Sequence, residues 1–87
     1  MKARLEKDIN DILTQLGYPI FESNIQIPKD LSHGDFTTNI AMIIAKELNE
    51  NPKNIAKKII ETLIANNLKS YKSINIAGPG FINIILD

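Results

Sequence analysis

Phe81 and Asn83 are the residues whose types and spacing most readily do chemistry. Residues two apart in an extended segment share a face, so a phenyl ring and a carboxamide would stand side by side. A nucleobase offers a flat π-face to such a ring, and stacking of this kind is worth roughly 1–3 kcal/mol per base. The carboxamide supplies both donors and acceptors, which can match a base edge. Splayed-out bases of RNA loops are read in this way. The same alternation places Ile74, Ile76, Ile82, Ile84 and Leu86 on one side and Asn75, Phe81, Asn83 and Ile85 on the other. If Ile25 and Ile27 also point inward, Asn24 and Gln26 join that second face. Against this stands the ordinary reading, in which Phe81 is a core aromatic and the asparagines are exposed amides with no task. A related alternative makes the face a docking surface for another domain or chain, with Phe81 and Ile85 as anchors.

Other combinations offer less. His33, Gly34 and Asp35 could pair an imidazole base with an orienting carboxylate. There is no cysteine, however, and no G-x-S-x-G turn to present a serine nucleophile. The simpler expectation is a turn at Gly34, a helix cap at Asp35 and local packing or bonding of His33. Asp30, His33 and Asp35 are too few to define a metal site. Gly78-Pro79-Gly80 lacks the G-x-x-x-x-G-K pattern and leads into a strand, so it is a turn and not a phosphate loop. Lys53, Lys57 and Lys58 read as a solvated helix face, with a phosphate contact as the alternative.

These residues must be held by elements that the apolar pattern makes legible. Leu5, Ile9, Ile12, Leu13 and Leu16 form a helical stripe, which Gly17 and Pro19 terminate. Ile25 and Ile27 alternate with polar neighbours in a short strand that Pro28 stops. A polar connection from Lys29 to Gly34 follows. Phe36, Ile40, Ile43, Ile44 and Leu48 then predict a second helix, with Asp35 as N-cap or, in competition, a capping box begun by Ser32. Asn51-Pro52 starts a third helix, whose stripe is Ile55, Ile59, Ile60, Leu63 and Ile64 and whose stop is Asn66-Asn67. The short connection makes the second and third helices an antiparallel hairpin. Two strands end the chain, around Ile74–Ile76 and from Phe81 to Leu86, joined through Gly78-Pro79-Gly80. The expected architecture is α+β, with three helices packed on one face of a small antiparallel sheet.

Composition bounds the rest. Eighty-seven residues, 44% of them hydrophobic, suffice for one domain with a folded core. The absence of cysteine excludes a disulfide framework and a thiolate zinc site. The longest apolar run, Ile40 to Ala45, is far short of the roughly 20 residues that span a bilayer. No apolar h-region follows the N-terminus, so a cytoplasmic protein is expected. Ten Lys+Arg against ten Asp+Glu give zero net charge, which argues against strong autonomous binding to nucleic acid.

Taken in order, Pro28, Asp30, His33-Gly34-Asp35-Phe36, Thr38-Asn39, Ala41-Met42, Ala45-Lys46, Asn51-Pro52, Ile55-Ala56 and Ile76-Ala77-Gly78-Pro79-Gly80-Phe81-Ile82-Asn83 resemble the N-terminal domain of arginyl-tRNA synthetase. The likeness spans nearly the whole chain and rests on both the H-G-D-[FY] and the G-P-G-F-I-N stretches. It implies that residues 1–87 are one appended domain of a class I arginine–tRNA ligase, a piece of a longer enzyme or else a free-standing homologue. It implies contact with the elbow of tRNA(Arg) at a D-loop nucleotide, with Phe81 and Asn83 making that contact; the strand alternation adds Asn75 as a third tRNA-binding candidate on the same face. His33, Gly34, Asp35, Gly78, Pro79 and Gly80 enter as motif residues without a catalytic role. H-I-G-H-like and K-M-S-K-like signatures are absent, so ATP would be used by a catalytic domain in cis. This stretch is expected to hold no cofactor, no metal and no catalytic residue.

Overall fold

The computed structural model describes residues 2–19, 25–28, 34–67 and 71–86. The first apolar stripe lies on helix α1 (Lys2–Leu16), where Leu5, Ile9, Ile12 and Leu13 are all buried. Its end is closed by two backbone bonds, Gly17 N–H to Thr14 O and Tyr18 N–H to Leu13 O. That is the Schellman arrangement, with Gly17 at φ 77° in the left-handed position that L side chains avoid. Strand β1 is short, Ile25–Gln26. Ile25 points inward as expected, but Ile27 lies beyond the strand and is 71% exposed. Asn24 falls outside the described residues.

The second helix departs from expectation at its start. Phe36–Thr38 is a strand, β2, and helix α2 (Ile40–Leu48) begins only after Asn39. Phe36 sits four residues before Ile40 and so mimics a helical stripe, while its actual neighbours are Ile84 on the next strand and the core. Asp35 is therefore not a cap. The Ile40 N–H is instead taken by the Thr38 hydroxyl at 3.2 Å, and Asn39 occupies the cap position without a side-chain bond. Ser32 lies outside the described residues. The start of α3 (Pro52–Asn67) is as read: Asn51 Oδ1 accepts the Lys53 N–H at 2.9 Å, with Pro52 at the first helical position. Helices α2 and α3 are joined through a left-handed Asn49 and pack as a hairpin. Among the described residues no helix is long and apolar enough to cross a membrane.

Strands β3 (Tyr71–Ala77) and β4 (Phe81–Leu86) close the fold. The sheet order is β1-β2-β4-β3, with every neighbouring pair antiparallel. The C-terminal strand is thus central, flanked by β2 and β3. Its Ile82 and Ile84 are fully buried and belong to one hydrophobic cluster with Ile9 and Leu13 of α1, Ile40 and Ile44 of α2, and Ile59 and Leu63 of α3, so the three helices lie on one face of the sheet. Ile74 and Leu86 are half-buried on the same side. Ile76 belongs to that side by its register with Ile82, yet it is 38% exposed because β3 is an edge strand.

One polar bond fastens α1 to that edge. The Tyr71 hydroxyl donates to Asp8 Oδ2 at 2.7 Å. Burial and this bond raise the Tyr71 phenol well above its ordinary value near 10. A raised folded-state pKa means that the neutral phenol is favoured by folding, so the stabilisation is complete below pH 10 and declines as pH rises from there. Tyr71→Phe should flatten the loss of stability seen in urea titrations between about pH 10 and pH 11. An unchanged alkaline slope in the variant would show that the bond carries no weight.

Candidate nucleic-acid interface

The helices cover only one face of the sheet. On the other, the register lines up a row of polar side chains across all four strands. Gln26 on β1 pairs with Thr37 on β2, Thr37 with Asn83 on β4, and Asn83 with Asn75 on β3. Gln26 and Asn75 are exposed, and Thr37 and Asn83 are half-buried. The Thr37 hydroxyl donates to Asn83 Oδ1 at 2.8 Å. Phe81, the cross-strand neighbour of Ala77, stands one pleat from this row and is 39% exposed, which places it outside the core. Ile85 lies on the other side of the row and is half-buried. An aromatic ring and a carboxamide two residues apart therefore share an uncovered face of the central strand, and Asn75 stands beside the amide.

Sequence reasoning missed Thr37. Its signal was present in Phe36-Thr37-Thr38, whose β-branched pair suits a strand, but the helical spacing of Phe36 and Ile40 obscured it.

The turn that precedes Phe81 is anchored from below. Gly80 is buried so closely that a Cβ there would lie 3.0 Å from Pro52 Cβ and 3.2 Å from Met42 Cγ. The Gly78-Pro79-Gly80 turn thus rests on the α2–α3 hairpin and fixes where β4 begins. Lys53, Lys57 and Lys58 are all exposed on α3, as a solvated face requires.

The other end of β4 is held by the motif that first resembled a catalytic pair. The Asp35 N–H donates to Ile84 O at 2.8 Å, and Asp35 Oδ2 accepts the Leu86 N–H at 2.8 Å. Gly34 is buried against the same strand. The Gly34-Asp35 segment is a clasp on the central strand. Its carboxylate is engaged with a backbone amide, which leaves the capping expectation without support. His33 and Asp30 lie outside the described residues. Among the described residues no group of three His, Cys, Asp or Glu could hold a metal ion.

Comparison with known proteins bears on this arrangement. Residues 2–86 match the family described as the arginyl tRNA synthetase N terminal domain. An arginine–tRNA ligase of Bartonella henselae is 45% identical over 87 residues, covering 98% of this chain and 14% of that protein. An arginine–tRNA ligase of Staphylococcus aureus is 42% identical over 86 residues, covering 99% of this chain and 13% of that protein. In structure, the chain superposes on Thermus thermophilus arginyl-tRNA synthetase with a TM-score of 0.82 at 22% identity, covering all of this chain and 14% of the other. Plasmodium falciparum arginyl-tRNA synthetase gives 0.81 at 21% identity over 98% of this chain and 16% of that one. The chain therefore spans about one seventh of the length of these relatives.

Proposed function

We propose, from the premise that the chain belongs to the arginyl-tRNA synthetase N-terminal domain family, that its open sheet face holds an unpaired nucleobase of tRNA, in the D-loop of tRNA(Arg). Phe81 stacks on or packs against the base, Asn83 bonds to its edge, and Asn75 borders the site. The observation that carries this reading is the exposure of Phe81 beside Asn83 on the uncovered side of the central strand. Residues 1–87 act in it as a single recognition domain of an arginine–tRNA ligase. Arginine activation and ATP use fall to a catalytic domain in cis.

The polar row speaks for a nucleobase over a protein partner. Gln26, Thr37, Asn83 and Asn75 run unbroken across the sheet, and the anchors of stable protein interfaces are apolar and aromatic with few such amides between them. Zero net charge fits a domain that positions one base while the remainder of the ligase supplies most of the affinity.

The test is a chemical-shift titration of the chain with a tRNA(Arg) D-loop hairpin at low salt. Resonances of Phe81 and Asn83 should move, and Phe81→Ala should weaken binding by about 1–3 kcal/mol. Because few phosphates are neutralised, affinity should fall only shallowly with salt. A titration that leaves both residues unperturbed would discard the proposal in favour of a docking surface.

A further inference from the structure

We propose that Thr37 is a specificity-determining positioning residue: it turns the Asn83 carboxamide so that its N–H donors face the ligand and favour a base edge offering a hydrogen-bond acceptor. This rests on the reading that the face holds a base, and it says which part of the base is read.

Thr37 and Asn83 are direct cross-strand partners on β2 and β4. The Thr37 hydroxyl is 2.8 Å from Asn83 Oδ1 and donates to it. The amide oxygen is thereby engaged within the protein. Asn83 Nδ2 has no hydrogen-bond partner among the described residues, so its two N–H donors remain for a ligand. The oxygen keeps one lone pair, but it is turned toward Thr37, and the two N–H donors are the groups left wholly free for a ligand. A ring nitrogen or carbonyl of a base then meets a matching N–H, whereas an exocyclic amine set against Nδ2 meets another donor. Phe81 does not discriminate, because every base has a π-face. Stacking would fix where the base lies, and the Thr37–Asn83 pair would fix which edge it shows.

Thr37→Val replaces the hydroxyl by a methyl group at nearly constant shape and keeps the β-branched side chain, so the strand should persist while the amide becomes free to turn over. Thr37→Ser retains the hydroxyl. The probe is an RNA hairpin with one unpaired loop nucleotide, chosen as adenosine because its analogues remove one group at a time. The 1-deaza, 3-deaza and 7-deaza forms each replace a ring-nitrogen acceptor by C–H, purine riboside removes the amine, and an abasic form removes the stack. Binding of each hairpin is measured to the chain and its two variants, with circular dichroism as the check on folding.

For the unmodified chain, at least one deaza form should bind about fivefold more weakly than adenosine, and purine riboside should bind as adenosine does. In Thr37→Val the deaza penalty should shrink below about twofold, and Thr37→Ser should restore it. A penalty that survives in Thr37→Val overturns the role of Thr37 while leaving the base-holding reading in place. A penalty carried by purine riboside, measured on the unmodified chain alone, overturns the proposed polarity even if Thr37→Val does not fold. Equal binding of the abasic and adenosine hairpins removes the base-holding reading, and this inference with it.

Discussion

Gly34→Ala should lower the unfolding free energy by about 2–4 kcal/mol, through backbone strain and a steric clash that cannot relax cheaply. Gly34 has φ 102°, a region that L side chains rarely adopt. A Cβ there would lie 2.8 Å from Ile84 O and 3.2 Å from Ile85 Cγ1. The oxygen it meets is the one that accepts the Asp35 N–H, so moving it away loosens a bond of the clasp on β4. Gly17→Ala is the matched control, since Gly17 also has positive φ but a Cβ would find nothing within 4 Å. It should show only the conformational part, about 1–2 kcal/mol. Urea unfolding of the two variants separates these contributions. At a slope near 1 kcal/mol per molar, the Gly34→Ala midpoint should fall by about 2–4 M and that of Gly17→Ala by about half as much. Equal midpoints would mean that the strand gives way freely and that Gly34-Asp35 holds nothing.

That clasp marks the boundary of what could be read from the sequence. The three helical stripes, the Asn51-Pro52 start and the two-sided alternation of the last strand are local patterns, each recoverable from a window of a dozen residues. The role of Asp35 is not local, because its partner Leu86 is 51 residues away. Seen alone before an apolar-periodic segment, an aspartate reads as a cap. Only the pairing of β2 with β4 shows that its carboxylate faces a strand end. Strand β2 was hidden for a related reason: three residues carry too short an alternation to outweigh the helical spacing of Phe36 with Ile40. The partnership of Thr37 with Asn83, 46 residues apart, was unreadable until that strand was found. Phe81 and Asn83 could be placed on one face because β4 is long enough to alternate and because its inward residues are all apolar.

Ile84→Ala should cost about 2–5 kcal/mol, the range for removing most of an aliphatic side chain from a packed core. Ile84 is fully buried and lies between Phe36 on β2 and Ile74 on β3, so the cavity would open at the centre of the sheet beneath the helices. One residue earlier the expectation inverts. Asn83→Ala loses a half-buried hydrogen bond to Thr37 and should cost about 1 kcal/mol. Phe81→Ala removes a larger side chain than Ile84→Ala does, yet should cost only about 1–2 kcal/mol, because the ring leaves solvent contact only partly on folding. Stability should therefore alternate along β4 with a period of two, large losses at Ile82 and Ile84 and small ones at Phe81 and Asn83. The two classes of residue differ in environment: the inward isoleucines hold the strand against the core, and the outward pair lies on the uncovered face. Thermal or urea unfolding of the four alanine variants measures the pattern directly. A Phe81→Ala loss as large as that of Ile84→Ala would put the ring in the core and leave the open face without its aromatic group.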